Sequence, residues 1–516
     1  MTRAVSKEAD AVLAEAIEHH RGGRWPAAAD GYRRALGAGL AATGALLEAM
    51  AAACWQAERR SEAETRLRQA LAMSPDGAMC HRNLGVAAAD SGDAGRAVIR
   101  HRRAAACKPD NPMIWSAVAS AHRDLGDTPS AVVGWRRALI LAPSEAATLF
   151  DLGVAHQDAD RWADAAALYR RSIASDPTRA AVHGNLGVCL SELNRTPDAL
   201  RAFEAAVGLE PDVFRRRHAL HLERLKAGRF ADAWAAITDA EAPTLVDITG
   251  RSVLLFDTAG FGDVIQFMRY APMVRDVARE VRLEVPPPLL GLARRMIGAD
   301  HVVAAGQSRP VHDVALRLLD LPRLFGTTEA TIPGRAPYLS ADPAAVRAWA
   351  PRLHRDRRLV VGFAWAGDPA YPLNRLRSPG LGALLPLLDS DVARFYALQV
   401  GAGRDELAHR SIPAAAVDLG NDIDDFDDTA AIVAGLDLVI TPCTALAHLA
   451  GALGKPTWVM LRHASDWRWM LGREDSPWYP TLRLFRQPAP GDWRAVVARL
   501  RDALPEANPH GPARSR

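Results

Sequence analysis

Small and apolar residues recur along the first half of the chain at helical spacing and, over that, at a longer fixed period. Pro75, Pro109, Pro143, Pro177 and Pro211 stand 34 residues apart at every step. The same register carries small alanines at Ala63, Ala97, Ala131, Ala165 and Ala199, and large residues at Leu67, His101, Trp135, Tyr169 and Phe203. Leu84-Gly85, Leu152-Gly153 and Leu186-Gly187 fill an earlier position of the unit. A period of this length predicts stacked supersecondary units. Small residues let two helices cross closely and the proline stops the second, so each unit reads as an antiparallel helix pair. Five regular units cover about residues 44–213, with a looser one around Trp25 to Ala35. A further pair from about Phe214 to Ala240 caps the array, giving a domain of residues 1–241.

From Arg251 the pattern changes to short apolar runs alternating with helices: Val253–Phe256, Val281–Val285, Leu359–Trp365, Phe395–Val400, Leu436–Ile440 and Pro456–Leu461. Uninterrupted apolar strands separated by helices predict parallel sheets covered on both faces. Two are expected, over residues 250–345 and 356–508, joined through Pro337–Pro351 and closed by an amphipathic helix at Asp492–Leu504. The fold class is thus an α-solenoid followed by an α/β, GT-B-like double Rossmann domain, with ligands beyond the carboxyl ends of the strands.

Composition narrows the function. With 63 basic and 60 acidic residues among 516, the net charge of +3 is too small for a broad nucleic-acid-binding face. Met1 to Asp10 holds no apolar signal core, and no run of about 20 apolar residues follows, so no integral membrane segment is expected. The five cysteines are too widely spaced for a zinc site or a disulfide framework, which suits a reducing, cytoplasmic setting.

The proline, alanine and Leu-Gly positions of the first half resemble the tetratricopeptide repeat. That resemblance implies a concave face holding a protein or peptide partner. Asn83, Asp151 and Asn185 precede the leucine of the Leu-Gly pair, with Ala117 breaking the series. They are similar to the asparagine ladder with which O-GlcNAc transferase grips acceptor backbones. An amide offers both donor and acceptor, which suits sequence-tolerant binding, while solvated helix-surface residues are the plain alternative.

Three strings of the second half carry chemistry. The first, DTAGFGDVIQFMRY, places Gly260 and Gly262 in a turn before Asp263 and Gln266. It resembles the opening of the ADP-heptose:lipopolysaccharide heptosyltransferase family (glycosyltransferase family 9). The resemblance makes Asp263 the base that deprotonates an acceptor hydroxyl, with Gly260, Gly262 and Gln266 on the acceptor side. A helix-capping aspartate is the alternative. The second string, VGFAWAGDPAYPLNRLRS, is similar to the loop of tetratricopeptide proteins that end in a heptosyltransferase-like domain, and offers Gly367, Arg375 and Arg377 to a nucleotide diphosphate. Arg377 is the preferred clamp, and surface charge is the other reading. The third, LDLVITPCTALAHLAGALGKPTW, runs from strand to helix and assigns Thr444, Ala445 and His448 to donor phosphate. A structural histidine is the alternative for His448. Cys443 stands where that family commonly has aspartate.

Asp466, Trp467, Trp469, Trp478 and Tyr479 crowd a further segment, as cleft walls or as core. The acidic run Asp422 to Asp427 looks like a metal-binding DxD, but its place before a helix suits the helix dipole, so no metal or cofactor is expected.

These features lead to a glycosyltransferase that moves a sugar from a nucleotide-activated donor to a hydroxyl on a protein held by the repeats. The layout resembles O-GlcNAc transferase and tetratricopeptide-linked flagellin glycosyltransferases, which makes flagellin one implied acceptor. The alternatives are a peptide-binding scaffold with a degenerate transferase domain, prompted by Cys443, and a surface-glycan or lipopolysaccharide transferase.

Overall fold

The computed structural model describes residues 2–235, 243–334 and 336–507. Met1, the end of the capping pair at 236–241 and residue 508 lie outside the described residues. The chain forms two compact units, one ending at Cys189 and one beginning at Leu190, and helix Ala180–Glu192 runs across the division.

The first unit consists of helix pairs: Thr2–Arg21 with Trp25–Gly37, Gly44–Gln56 with Arg60–Met73, Ala78–Asp90 with Ala94–Cys107, Pro112–Asp124 with Thr128–Leu141, and Ala146–Asp158 with Trp162–Ser175. The alanine row is fully buried, and Leu67, His101, Trp135 and Tyr169 are buried with it. Pro75, Pro109 and Pro143 each stand two residues beyond the end of a second helix. Their carbonyls then accept side-chain bonds: His81 Nε2 lies 3.0 Å from the Pro75 oxygen, and Trp115 Nε1 donates to that of Pro109 at 2.8 Å. Left-handed backbone recurs at the turn inside each pair, at Glu58, Gly92, Gly126 and Asp160, and in the second unit at Asn194 and Gly228. This is a second 34-residue register, which glycine occupies most cheaply because it lacks Cβ.

The Leu-Gly pair has a steric reason. A Cβ on Gly85 would lie 2.5 Å from the His101 ring, and one on Gly153 would lie 2.6 Å from the Tyr169 ring. Tyr169 has little freedom to retreat, because its hydroxyl donates to Gln157 Oε1 at 3.0 Å and accepts from Asn185 Nδ2 at 3.3 Å. Overpacking costs about 1–3 kcal/mol and outweighs the gain of roughly 1 kcal/mol in helix propensity. We therefore expect Gly153→Ala to lower the urea midpoint of the array, and a raised midpoint would show that the crossing has room.

The second unit begins with helices Thr196–Leu209, Phe214–Lys226 and Phe230–Ala235, then becomes α/β. One parallel sheet contains β1 (Ser252–Phe256), β2 (Glu280–Val285), β3 (His301–Ala304) and β4 (Val314–Arg317), in the order β3-β2-β1-β4. The other contains β5 (Leu359–Phe363), β6 (Ala393–Ala397), β7 (Val417–Asp418), β8 (Leu438–Pro442), β9 (Thr457–Leu461) and β10 (Leu482–Arg486), in the order β10-β9-β8-β5-β6-β7. The runs that sequence patterning predicts correspond to β1, β2, β5, β6, β8 and β9. The others escape it because they are short or alternate, as in Leu482-Arg483-Leu484, where only the leucines are buried. Leu225, Phe230 and Ala233 share one core with Val253, Leu255, Val264, Trp478 and Tyr479, so these helices pack as part of the α/β unit. Trp234 Nε1 donates to the Thr327 carbonyl at 2.6 Å.

Candidate functional site

Each sheet has a point where the chain reverses its direction of travel, beside β1 in the first sheet and between β5 and β8 in the second. Loops leaving the carboxyl ends of such strands diverge and leave a crevice, the usual ligand position in open parallel sheets. The three strings singled out above are the loops after β1, β5 and β8.

After β1, buried Asp257 fixes the turn. Its Oδ1 accepts from the backbone of Thr258 and Ala259 at 2.8 and 2.9 Å, and its Oδ2 accepts from Leu319 N at 3.1 Å. Gly260 occupies the cap position of helix Phe261–Phe267. Asp263, in the first turn of that helix, takes a backbone hydrogen bond from Gly260, and its Oδ1 pairs with Arg468 Nη2 at 2.6 Å. Burial raises the Asp263 pKa, and the attraction of Arg468 only partly opposes this. Arg468 also donates to Gln266 Oε1 at 2.6 Å and to Asp466 Oδ1 at 3.0 Å. Burial works against its charge, but the two aspartates outweigh it and hold the guanidinium cationic. Gln266 is fully buried, and its Nε2 has no hydrogen-bond partner among the described residues.

After β8, Thr444 occupies the cap position of helix Ala445–Ala452 without a side-chain capping bond, its hydroxyl 3.1 Å from that of Thr441. This helix meets the one after β1 at Gly262, where a Cβ would lie 2.9 Å from His448 Cδ2 and 3.5 Å from the Ala445 Cα. Gly262, Ala445 and His448 therefore form a packed junction. His448 is buried, 3.0 Å from the Tyr479 hydroxyl and stacked on Trp469 at 5.4 Å. Burial, with Arg468 nearby, pulls its pKa down to about 3, so the ring is uncharged at neutral pH. Cys443 Sγ accepts from Trp469 Nε1 at 3.0 Å, and burial pushes its thiol up to about 11.

After β5, the backbone N–H of Trp365 and of Ala366 donates to Gln399 Oε1 at 3.0 and 2.9 Å, and Gly367 N donates to Ser378 Oγ at 3.1 Å. Arg377 lies over the Tyr371 ring at 4.3 Å, and its Nε donates to Asn374 Oδ1 at 3.3 Å. A Cβ on Gly367 would sit 2.6 Å from its guanidinium, so this glycine admits the arginine to the loop. Arg375 is exposed in the same short helix, Asn374–Arg377. Arg377, Cys443, Asp466 and Trp467 line a common cavity of about 210 Å³.

Trp469, Trp478 and Tyr479 are fully buried core residues, and Trp467 is the aromatic of that string that lines the cavity. The acidic run has other partners. Asp425 caps helix Phe426–Gly435, Asp427 pairs with Arg295, Asp422 pairs with Arg352, and Asp428 accepts from Trp349 Nε1 at 2.9 Å. Among the described residues no group of three or more His, Cys, Asp or Glu is placed to hold a metal.

In the other unit, Asn83, Asp151 and Asn185 occupy one register position on the first helices Ala78–Asp90, Ala146–Asp158 and Ala180–Glu192, with Ala117 at that position on the intervening helix Pro112–Asp124. Asn83 accepts from Arg82 at 3.2 Å, and Asp151 pairs with Arg123 at 3.3 Å while burial raises its pKa. Sequence reasoning passed over Arg468, Asp257 and Tyr371. The signal for Arg468 was a cation between two tryptophans beside an aspartate.

A family model for the tetratricopeptide repeat matches residues 48–112, 117–180 and 150–214. Protein FlbA of Caulobacter vibrioides is 29% identical over 327 residues, 54% of this chain and 53% of that protein, so the chain spans about half the length of this relative. Among solved structures, Pseudomonas aeruginosa PilF is 15% identical with a TM-score of 0.37, over 41% of this chain and 97% of that one. YrrB, a TPR protein with an unusual peptide-binding site, is 17% identical with a TM-score of 0.31, over 34% of this chain and 90% of that one. No helix among the described residues is long and apolar enough to cross a membrane. The N-terminal region, to about residue 230, is a solenoid of tetratricopeptide repeats, followed by an α/β region built on parallel sheets.

Proposed function

We propose that this protein is a cytoplasmic glycosyltransferase with a GT-B-type catalytic region, moving a sugar from a nucleotide-activated donor to a hydroxyl of a protein held by its repeats. The observation that carries this reading is Asp263, a half-buried carboxylate with a raised pKa at the reversal point of one parallel sheet, tied through Arg468 to the segment that follows β9 of the other. An inverting transfer needs such a base beside the attacking hydroxyl. Arg377 supplies a planar cation for the departing diphosphate, and the N-terminal end of helix Ala445–Ala452 supplies partial positive charge. The neutral ring of His448 serves the site by packing and by its contact with Gly262, not as a cation. A protein acceptor fits the repeats, with flagellin the candidate implied by the resemblance.

The test is thermal stabilisation of the full chain by UDP, GDP, ADP and CMP. A ligand at 100 times its Kd stabilises the folded state by about 2.7 kcal/mol. One nucleotide is expected to raise the melting temperature, and Arg377→Ala to abolish the rise. The absence of a shift with all four would overturn the transferase reading.

A second reading, a peptide-binding scaffold with a decayed transferase region, is favoured by Cys443, whose sulfur is engaged by Trp469 and uncharged at neutral pH. On that reading Cys443→Asp restores nucleotide binding. On the transferase reading it brings no gain.

A further inference from the structure

The cavity beside Arg377 has a wall that comes from outside the α/β sheets. Helix Phe214–Lys226 contributes Glu223 and Lys226, and Ser191, near the end of helix Ala180–Glu192, stands beside them. Glu223 is 4% exposed, and its Oε2 accepts from Ser191 Oγ at 2.6 Å. Its Oε1 is buried and has no hydrogen-bond partner among the described residues. Lys226 lies close enough to attract Glu223, but its Nζ hydrogen-bonds to the Ser191 carbonyl at 2.8 Å and Oγ at 3.0 Å and not to Oε1. A carboxylate oxygen only accepts, so an unpaired one on a residue that lines a cavity calls for a donor that the described residues do not provide.

The rest of the cavity defines that donor. Its lining also includes the aromatic side chains of Trp467 and Tyr371, a chemistry against which the C–H groups of a sugar pack, and Arg377, a fork suited to phosphate. At about 210 Å³ it is smaller than the pockets that enclose a drug-sized ligand, and so takes one ring-sized moiety of a larger molecule. A ring with hydroxyl or amide N–H donors, attached to a phosphate, satisfies Glu223, the aromatic faces and Arg377 together.

We propose that Glu223 reads a hydroxyl or amide N–H of the donor's sugar ring in this cavity, so that the last repeat-like helices determine sugar specificity. This rests on the transferase reading and goes further, because it assigns recognition of the sugar to a helix outside both sheets.

The experiment is calorimetric titration of the full chain with UDP-N-acetylglucosamine, GDP-mannose, ADP-glucose and CMP-N-acetylneuraminic acid, each beside its bare nucleotide. The expected result is one nucleotide sugar that binds more tightly than its nucleotide. Glu223→Gln weakens that sugar form by roughly 10-fold or more, as loss of a charged hydrogen bond does, and leaves the bare nucleotide unchanged. Glu223→Asp keeps the charge but draws it back by one methylene and gives the same selective loss, which covers a failure of the first variant to fold. An equal effect of these variants on sugar and bare nucleotide, no effect on either, or no preference for any sugar form would overturn the proposal with nucleotide binding intact. Loss of all nucleotide binding in the unmodified chain would overturn the transferase reading itself.

Discussion

Asp263→Asn is expected to keep nucleotide-sugar binding and to lose transfer by a factor of roughly 10²–10⁴, the usual contribution of a positioned general base. The substitution is nearly isosteric, and the asparagine oxygen still accepts from Arg468, which also keeps its bond to Asp466. Folding is therefore preserved. The pKa direction supports this. A carboxyl whose folded pKa is raised adds stability below its unfolded pKa, and that contribution is lost as pH rises through the folded pKa. At neutral pH the wild-type carboxylate is thus a burial cost that asparagine removes. The same shift sets the pH profile: activity rises with pH through an apparent pKa above the ordinary aspartate value, and that limb disappears in the variant. The measurement is nucleotide release from the donor identified by the binding panel, compared with the dissociation constant of that donor. Full activity in the variant would remove Asp263 from the chemistry.

Trp135→Ala is expected to destabilise the repeat unit by about 3–5 kcal/mol, the cost of truncating a fully buried large aromatic. Trp135 is 0% exposed and packs with Ala131 of its own helix and with Ala119, Leu152 and Ala155 on neighbouring helices. Those alanines are too small to close over the void. Repeats stabilise one another through their shared interfaces, so the loss spreads to both flanking pairs. Ile140, on the same helix and 71% exposed, is the control, and Ile140→Ala should stay within about 0.5 kcal/mol of the parent. Urea unfolding followed by helical circular dichroism compares the two, and equal midpoints would contradict the assigned core.

Much of this molecule is legible in the sequence because its physics is local or periodic. Prolines placed 34 residues apart, with alanines and large residues in the same register, determine the helix pairs, since a proline ends a helix and a small residue admits a crossing whatever else the fold does. Apolar runs at Val253–Phe256 and Leu359–Phe363 likewise declare buried parallel strands. The candidate loops were found for the same reason, as glycine- or threonine-marked turns between a strand and a helix.

The residues that complete the site depend instead on the tertiary structure. Arg468 lies 205 positions from Asp263, and only the packing of the two sheets sets its guanidinium between Asp263, Gln266 and Asp466. His448 has the composition of a phosphate ligand, but burial against Trp469 and Tyr479 makes it a neutral packing residue. Glu223 has no motif around it and gains meaning from a cavity lined by distant parts of the chain. Secondary structure follows from the spacing of residue types along the chain. The charge state and partner of a buried group follow from which distant residues displace water around it, and no local pattern records that.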